Sequence, residues 1–273
     1  MKLVGIDMDG TLLDDNNEVS ITQKEFFENN QLEEVEFVIV TGRPLKGVLN
    51  LLPQRIWGNF FKICLNGSVI FDKNNELIYK NIIPTEQYYL LLNYLHQNHL
   101  RYLVLDTQDF YGEKIDELMV YDAKLNKMEI KNISFEKLKS LEEVSKILLF
   151  IAPEKRDSIF ETIPQEIKEK FSVIFSQDYL IEFLNHGVDK GSAFKRLSNG
   201  VGKINNITTY SIGDGLNDIP FMKSSDIKIA MKNSNDEVLK LSDYITDDNN
   251  HDGVLKAIKQ LVMRRDTSAN SRF

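Results

Sequence analysis

Twice along this chain, short β-branched apolar runs alternate with stretches of helical pattern. Residues 2–6 and 37–40 read as strands around a helix at 20–32, where Ser20 and Gln23 have the spacing of a capping box. Pro44 stands where a first helical residue would, opening a helix over 45–52; a buried strand follows at 62–65, then a hairpin over 69–79 around Asp72-Lys73-Asn74-Asn75. The alternation resumes with strands at 208–212, 227–230 and 244–246 and helices at 217–223, 236–241 and 253–262. Apolar strands that alternate with helices bury both faces in a mostly parallel sheet, so the pattern predicts an α/β fold with a Rossmann-like, doubly wound parallel-sheet core.

Between 84 and 187 the pattern changes character. A long amphipathic helix at 85–97 is followed by hairpin-like strands and by an apolar run at 146–151 that ends at Pro153. Two halves of one sheet separated by such a stretch predict an inserted α+β domain over 84–187, with the core made of 1–83 and 188–273. With 273 residues, 42% of them hydrophobic, the chain can build both. The stripe of Tyr88, Tyr89, Leu92 and Leu95 has helical spacing and reads as packing.

A formal net charge of −8 argues against a nucleic-acid surface and requires any anionic ligand to be attracted by local features. The single cysteine, Cys64, leaves no internal disulfide and fits a reducing, cytoplasmic setting as a buried inert thiol. The apolar start is broken at Asp7, so it does not read as a signal peptide, and no stretch approaches the roughly 18 apolar residues of a membrane span. The polar C-terminal stretch 263–273 reads as a fraying tail. The sequence leaves the oligomeric state open and is compatible with a monomer.

In open parallel sheets, ligands bind beyond the carboxyl ends of the strands, so the residues just after each apolar run are the ones to collect. They are Asp7, Met8, Asp9 and Gly10; Thr41, Gly42 and Arg43; and Gly213, Asp214, Gly215, Leu216, Asn217 and Asp218. Several carboxylates on one crevice repel unless a cation sits among them. Hard oxygen donors without nearby His or Cys suit Mg²⁺, which also binds the oxygens of a phosphate. Asp7, held at a strand end, is then placed to attack phosphorus, and Asp9 to act as acid and base on the leaving oxygen and on water. Thr41 and the N–H groups of the following turn can bind phosphate oxygens, Arg43 can assist near the substrate, and Lys190, just before a predicted helix, can clamp the phosphoryl group.

Taken in order, DMDGTLLD, TGRP, the lysine of VDKGSA and GDGLNDIPFM resemble the four motifs of the haloacid dehalogenase-like phosphatases, specifically the Cof-type members with a large α/β (type IIB) cap. Asn66-Gly67, Ala230-Met231 and DYITDDNNHDGV are similar to that subfamily too. The resemblance implies Asp7 as nucleophile, Asp9 as general acid and base, and Mg²⁺ held by Asp7, the Asp9 backbone carbonyl and Asp214, with Asp218 supporting the metal shell. It implies phosphate contacts from the Met8 backbone, Thr41, Gly42, Lys190 and Asn217, and a small phosphorylated metabolite, often a sugar phosphate, as substrate. One departure is visible: Lys232–Asp236 reads KNSND where the family usually has Gly-Asn-Ala.

Two readings of another class remain. A phospho-acceptor signalling protein also combines carboxylates, a threonine and a lysine on a parallel sheet, but its acids are adjacent, whereas Met8 separates Asp7 from Asp9 here, and it has no inserted domain. A catalytically silent metabolite-binding protein would have no use for an intact Asp7 and Asp9. Neither a dinucleotide fingerprint nor a GxxxxGK[ST] loop is present. His186 and Asp189 read as structural, Asn66 as a turn residue, and Asp106 and Tyr111 as cap residues of unassigned role.

Overall fold

The structure, a computed structural model, describes residues 1–29, 32–201 and 207–263. Positions 30 and 31 of the expected first helix, and all of the expected tail except Met263, lie outside the described residues.

The chain forms two sheets. The first contains β1 (Lys2–Ile6), β2 (Val35–Val40), β3 (Phe60–Cys64), β4 (Val69–Phe71) and β5 (Leu77–Lys80). The second contains β6 (Arg101–Leu105), β7 (Phe110–Gly112), β8 (Ile130–Asn132), β9 (Lys146–Phe150), β10 (Phe171–Gln177) and β11 (Leu180–Asn185), after which β12 (Thr208–Gly213), β13 (Ile227–Ala230) and β14 (Tyr244–Ile245) return to the first. The order in the eight-stranded sheet is β14-β13-β12-β1-β2-β3-β4-β5, parallel from β14 through β3 and antiparallel at β4 and β5. The six-stranded sheet, β10-β11-β9-β6-β7-β8, is antiparallel except between β7 and β8.

Both faces of β1 are buried, as a central parallel strand requires. Val4 and Ile6 join one apolar cluster with Phe27, Phe37 and Phe60, while Leu3 joins another with Val38, Ile63, Phe194 and Phe221 on the opposite face. Gly5 is fixed by that second layer: a β-carbon there would lie 2.5 Å from the Phe221 ring. The six-stranded sheet packs on the helix Thr85–Gln97 through Tyr88, Leu91, Leu92 and Leu95. Tyr89, expected in that stripe, is exposed, and Leu91 occupies the inward position instead.

Two local expectations are corrected. Pro44 is the extended residue preceding the helix Leu45–Leu51 rather than its first helical residue. Only half of the capping box forms: Ser20 Oγ accepts from the Gln23 N–H at 3.1 Å, while the Gln23 side chain donates to the Leu12 carbonyl.

Candidate active site

The register brings the polar loops together. Ile6 pairs with Ile212 on one side and Ile39 on the other, so Asp7, Thr41 and Asp214 all emerge at the same carboxyl edge of the sheet. The chain builds the sheet outward from β1 to β2 and β3 on one side and from β12 to β13 and β14 on the other, so the gap between β1 and β12 is the switch point where such sheets form a crevice.

After β1 the chain makes a tight turn in which the Leu13 N–H donates to the Met8 carbonyl at 2.8 Å. Gly10 completes it with φ of +74°, and a β-carbon there would fall 2.5 Å from Asp214 Oδ2. Only glycine meets both conditions at low cost. Thr11 Oγ1 donates to Asp214 Oδ1 at 2.6 Å, joining the loops after β1 and β12. Within 232–236, Asn233 falls where the quoted Gly-Asn-Ala also has asparagine, and it ties the loops together: its Nδ2 donates to the Gly10 carbonyl and its Oδ1 accepts from the Asn249 N–H. Asn249 in turn binds the Leu13 carbonyl and Asp15.

Asp7, Asp214 and Asp218 present carboxylate oxygens that all lie within 4.8 Å of one another. Lys190, the first residue of the helix Lys190–Val201, places Nζ 2.5 Å from Asp7 Oδ1 and 2.7 Å from Asp218 Oδ1. Asp218 Oδ2 also accepts from the N–H groups of Asp214 and Gly215. Lys190 and Asp218 are almost completely buried. Burial, the neighbouring Asp218 and Asp214, and Asp9 raise the Asp7 carboxyl well above the ordinary range, against the opposing pull of Lys190. Asp214 is pushed up to about 7, chiefly by burial and by Asp218. For Lys190, burial disfavours the ammonium, but Asp218 and Asp7 outweigh it and the group is held above its usual value. One ammonium serves three carboxylates. The set contains oxygen donors alone, which matches the preference of a hard divalent cation.

Asp9 stands apart from this cluster. Its side chain, 47% exposed, takes a two-pronged bond from Arg43, with Nε at 2.9 Å from Oδ2. The same guanidinium donates to the Leu125 carbonyl at 2.6 Å, so Arg43 joins the loop after β1 to the helix Glu117–Leu125 of the insertion. Thr41 is buried, with Oγ1 accepting from the Arg43 N–H. Met8 is buried, Gly42 presents its carbonyl to Lys146, and Asn217 faces the crevice above Asp214 and Lys190.

Above the carboxylates lies a cavity of about 400 Å³ with walls from both sheets. Sequence reasoning missed its far wall. There Lys146 Nζ reaches Glu182 Oε2 at 2.7 Å, Asn66 Nδ2 reaches the same oxygen at 2.8 Å, and Tyr179 Oη donates to Asp122 Oδ1 at 3.2 Å. Glu182 left one signal, a lone charge inside the apolar run Leu180-Ile181-Glu182-Phe183-Leu184. Asp189 caps the Lys190 helix through Ser192, as a structural reading requires, and Asp106 accepts from Tyr111 away from the cavity. The Cys64 thiol is buried and pushed up to about 12 by burial, which leaves it unreactive.

Residues 4–258 match the profile of the haloacid dehalogenase-like hydrolases. The chain belongs to that family. Relatives named as phosphatases align over nearly its whole length. M6_Spy0533 of Streptococcus pyogenes serotype M6 is 30% identical over 270 residues, covering 96% of this chain and 99% of its own. The 5-amino-6-(5-phospho-D-ribitylamino)uracil phosphatase YcsE of Bacillus subtilis is 27% identical over 268 residues, 96% of each chain. The crystal structure of a haloacid dehalogenase-like hydrolase from Bacteroides thetaiotaomicron superposes with a TM-score of 0.83 at 30% identity, covering 94% of this chain and 98% of that one. The protein is a Cof-type phosphatase of the haloacid dehalogenase-like family, and the α/β core with its inserted cap is the fold of that family. Among the described residues no helix is long and apolar enough to cross a membrane.

Proposed function

We propose that this phosphatase hydrolyses a small phosphorylated metabolite, of the sugar phosphate kind, by Mg²⁺-dependent transfer of the phosphoryl group to Asp7. The observation that carries this reading is the Lys190 ammonium held between Asp7 and Asp218 with Asp214 beside them at the floor of the cavity. Mg²⁺ would be held by Asp7, Asp214 and the Asp9 carbonyl, with Asp218 behind them; it would neutralise the phosphate oxygens and permit approach of a carboxylate.

An Asp7 carboxylate oxygen attacks phosphorus, forming an aspartyl-phosphate as the bond to the leaving oxygen breaks. Asp9 gives that oxygen its proton, then takes one from the water that hydrolyses the intermediate. The Met8 backbone, Thr41, Gly42, Asn217 and Lys190 hold the non-reacting phosphate oxygens. Arg43 keeps Asp9 at the cavity mouth and ties it to the cap. We place the core at 1–83 and 188–273 and the cap at 84–187, with the cap excluding bulk water during transfer. A cytoplasmic site of action fits the single reduced cysteine.

The test is turnover of p-nitrophenyl phosphate with Mg²⁺ and with EDTA, together with acid-quench trapping of the phosphoenzyme. Wild type should turn over only with the metal and trap label on Asp7. Asp7→Asn should lose at least about 10³ in kcat with its circular dichroism unchanged. A variant that kept a tenth of the activity would remove Asp7 as the nucleophile.

A further inference from the structure

We propose that Asp122 and Tyr179 read the leaving group. The substrate would be a phosphomonoester whose leaving group carries hydroxyl or amino donors at its far end and no second phosphate or carboxylate. This rests on the phosphatase reading above and narrows it.

Asp122 lies on the helix Glu117–Leu125 and is 7% exposed, yet it lines the same cavity as Asp7 and Lys190. Among the described residues, the bond from Tyr179 Oη is the only hydrogen bond its carboxylate receives. An ionised carboxylate accepts at about four positions, so most of its capacity is open toward the cavity. Burial, offset in part by Lys146, raises its carboxyl to about 6, as expected of an acid lacking donors.

The neighbouring cations are already engaged. Lys146 Nζ is held by Glu182 and by the Gly42 carbonyl, and Arg43 by Asp9, Leu125 and Asn126. This wall therefore presents two carboxylates, Asp122 and Glu182, against one committed lysine. A second anion on the substrate would be desolvated beside like charge, whereas a hydroxyl or ammonium would supply the missing donor. Leu105, Phe110, Leu148 and Leu180 complete the wall and suit the carbon skeleton between donors.

The experiment compares kcat/KM for a hexose 6-phosphate, an alditol phosphate, a hexose 1,6-bisphosphate and p-nitrophenyl phosphate in wild type, Asp122→Ala, Asp122→Asn and Tyr179→Phe. In wild type the best polyol monophosphate should exceed both the bisphosphate and p-nitrophenyl phosphate by about tenfold or more. Its ratio to p-nitrophenyl phosphate should fall by about tenfold or more in Asp122→Ala, mainly through KM, and several-fold in the two conservative variants. A bisphosphate used as well as the monophosphates, or ratios unchanged in all three variants, overturns the proposal alone. No turnover of any of the four phosphates by wild type overturns the phosphatase reading beneath it.

Discussion

Asp122 shows how one residue can be silent in sequence and informative in structure. In VYDAKL it is an ordinary acid on a helical stretch; only the fold brings to it Tyr179, from the turn between β10 and β11, and the charge of Lys146, from β9. Its carboxyl rises from an ordinary value of about 3.9 to about 6 on folding, so between those pH values the folded chain holds a proton that the unfolded chain has lost. Stability from this group is therefore greatest at low pH and declines as pH rises through the window, by up to roughly 3 kcal/mol. Asp122→Asn keeps an acceptor for Tyr179 and removes the titration. Urea unfolding at about pH 4.5 and pH 7.5 should show the variant gaining stability relative to wild type at the higher pH, and a constant difference between the two proteins would contradict it. The candidate site residues were legible for the opposite reason. Asp7, Thr41 and Asp214 each directly follow an apolar strand, so local pattern alone places them at the sheet edge. The Arg43 bond to Asp9 was not legible, because it depends on how two loops meet in space.

At the scale of elements, strands and helices with strong periodicity kept their predicted bounds, such as Lys2–Ile6, Thr85–Gln97 and Asp236–Leu241. The failures came at ends and exceptions. The closing helix splits into Gly253–Ala257 and a wider turn over Ile258–Val262, and the helix expected at 217–223 begins as a tight turn over Leu216–Asp218. There, Asp218 turns its side chain back onto the N–H groups of Asp214 and Gly215, which competes with helical bonding. The cap strands β9 and β11 hold a pair that periodicity treats as an error: Lys146 and Glu182, each about 4% exposed. Removing one partner strands the other charge in the interior. Lys146→Met should cost about 3–5 kcal/mol in urea unfolding, and Lys146→Met with Glu182→Leu should recover much of that loss. A double variant no more stable than the single would mean that the pair contributes more than it costs.

Across the whole molecule, an excess of acid coexists with a reaction on an anion. The net charge of −8 repels phosphate at long range, so the attraction has to be local, and the described residues offer one buried lysine among three carboxylates. Such a cluster is destabilising by itself. Burial and mutual repulsion raise Asp7 and Asp214, which means that the isolated fold carries charge it would shed. A divalent cation that binds these oxygens in the folded chain and finds no comparable site in the unfolded one must raise stability by mass action, about 2.7 kcal/mol at a hundredfold excess over Kd. Thermal unfolding in EDTA and across a Mg²⁺ titration should therefore show Tm rising with metal and saturating. Asp214→Asn relieves part of the repulsion, so its Tm in EDTA should equal or exceed that of wild type while its response to Mg²⁺ largely disappears. A wild-type Tm indifferent to Mg²⁺ would mean that Lys190 alone balances the cluster, and the site would have to bind its phosphate without a metal.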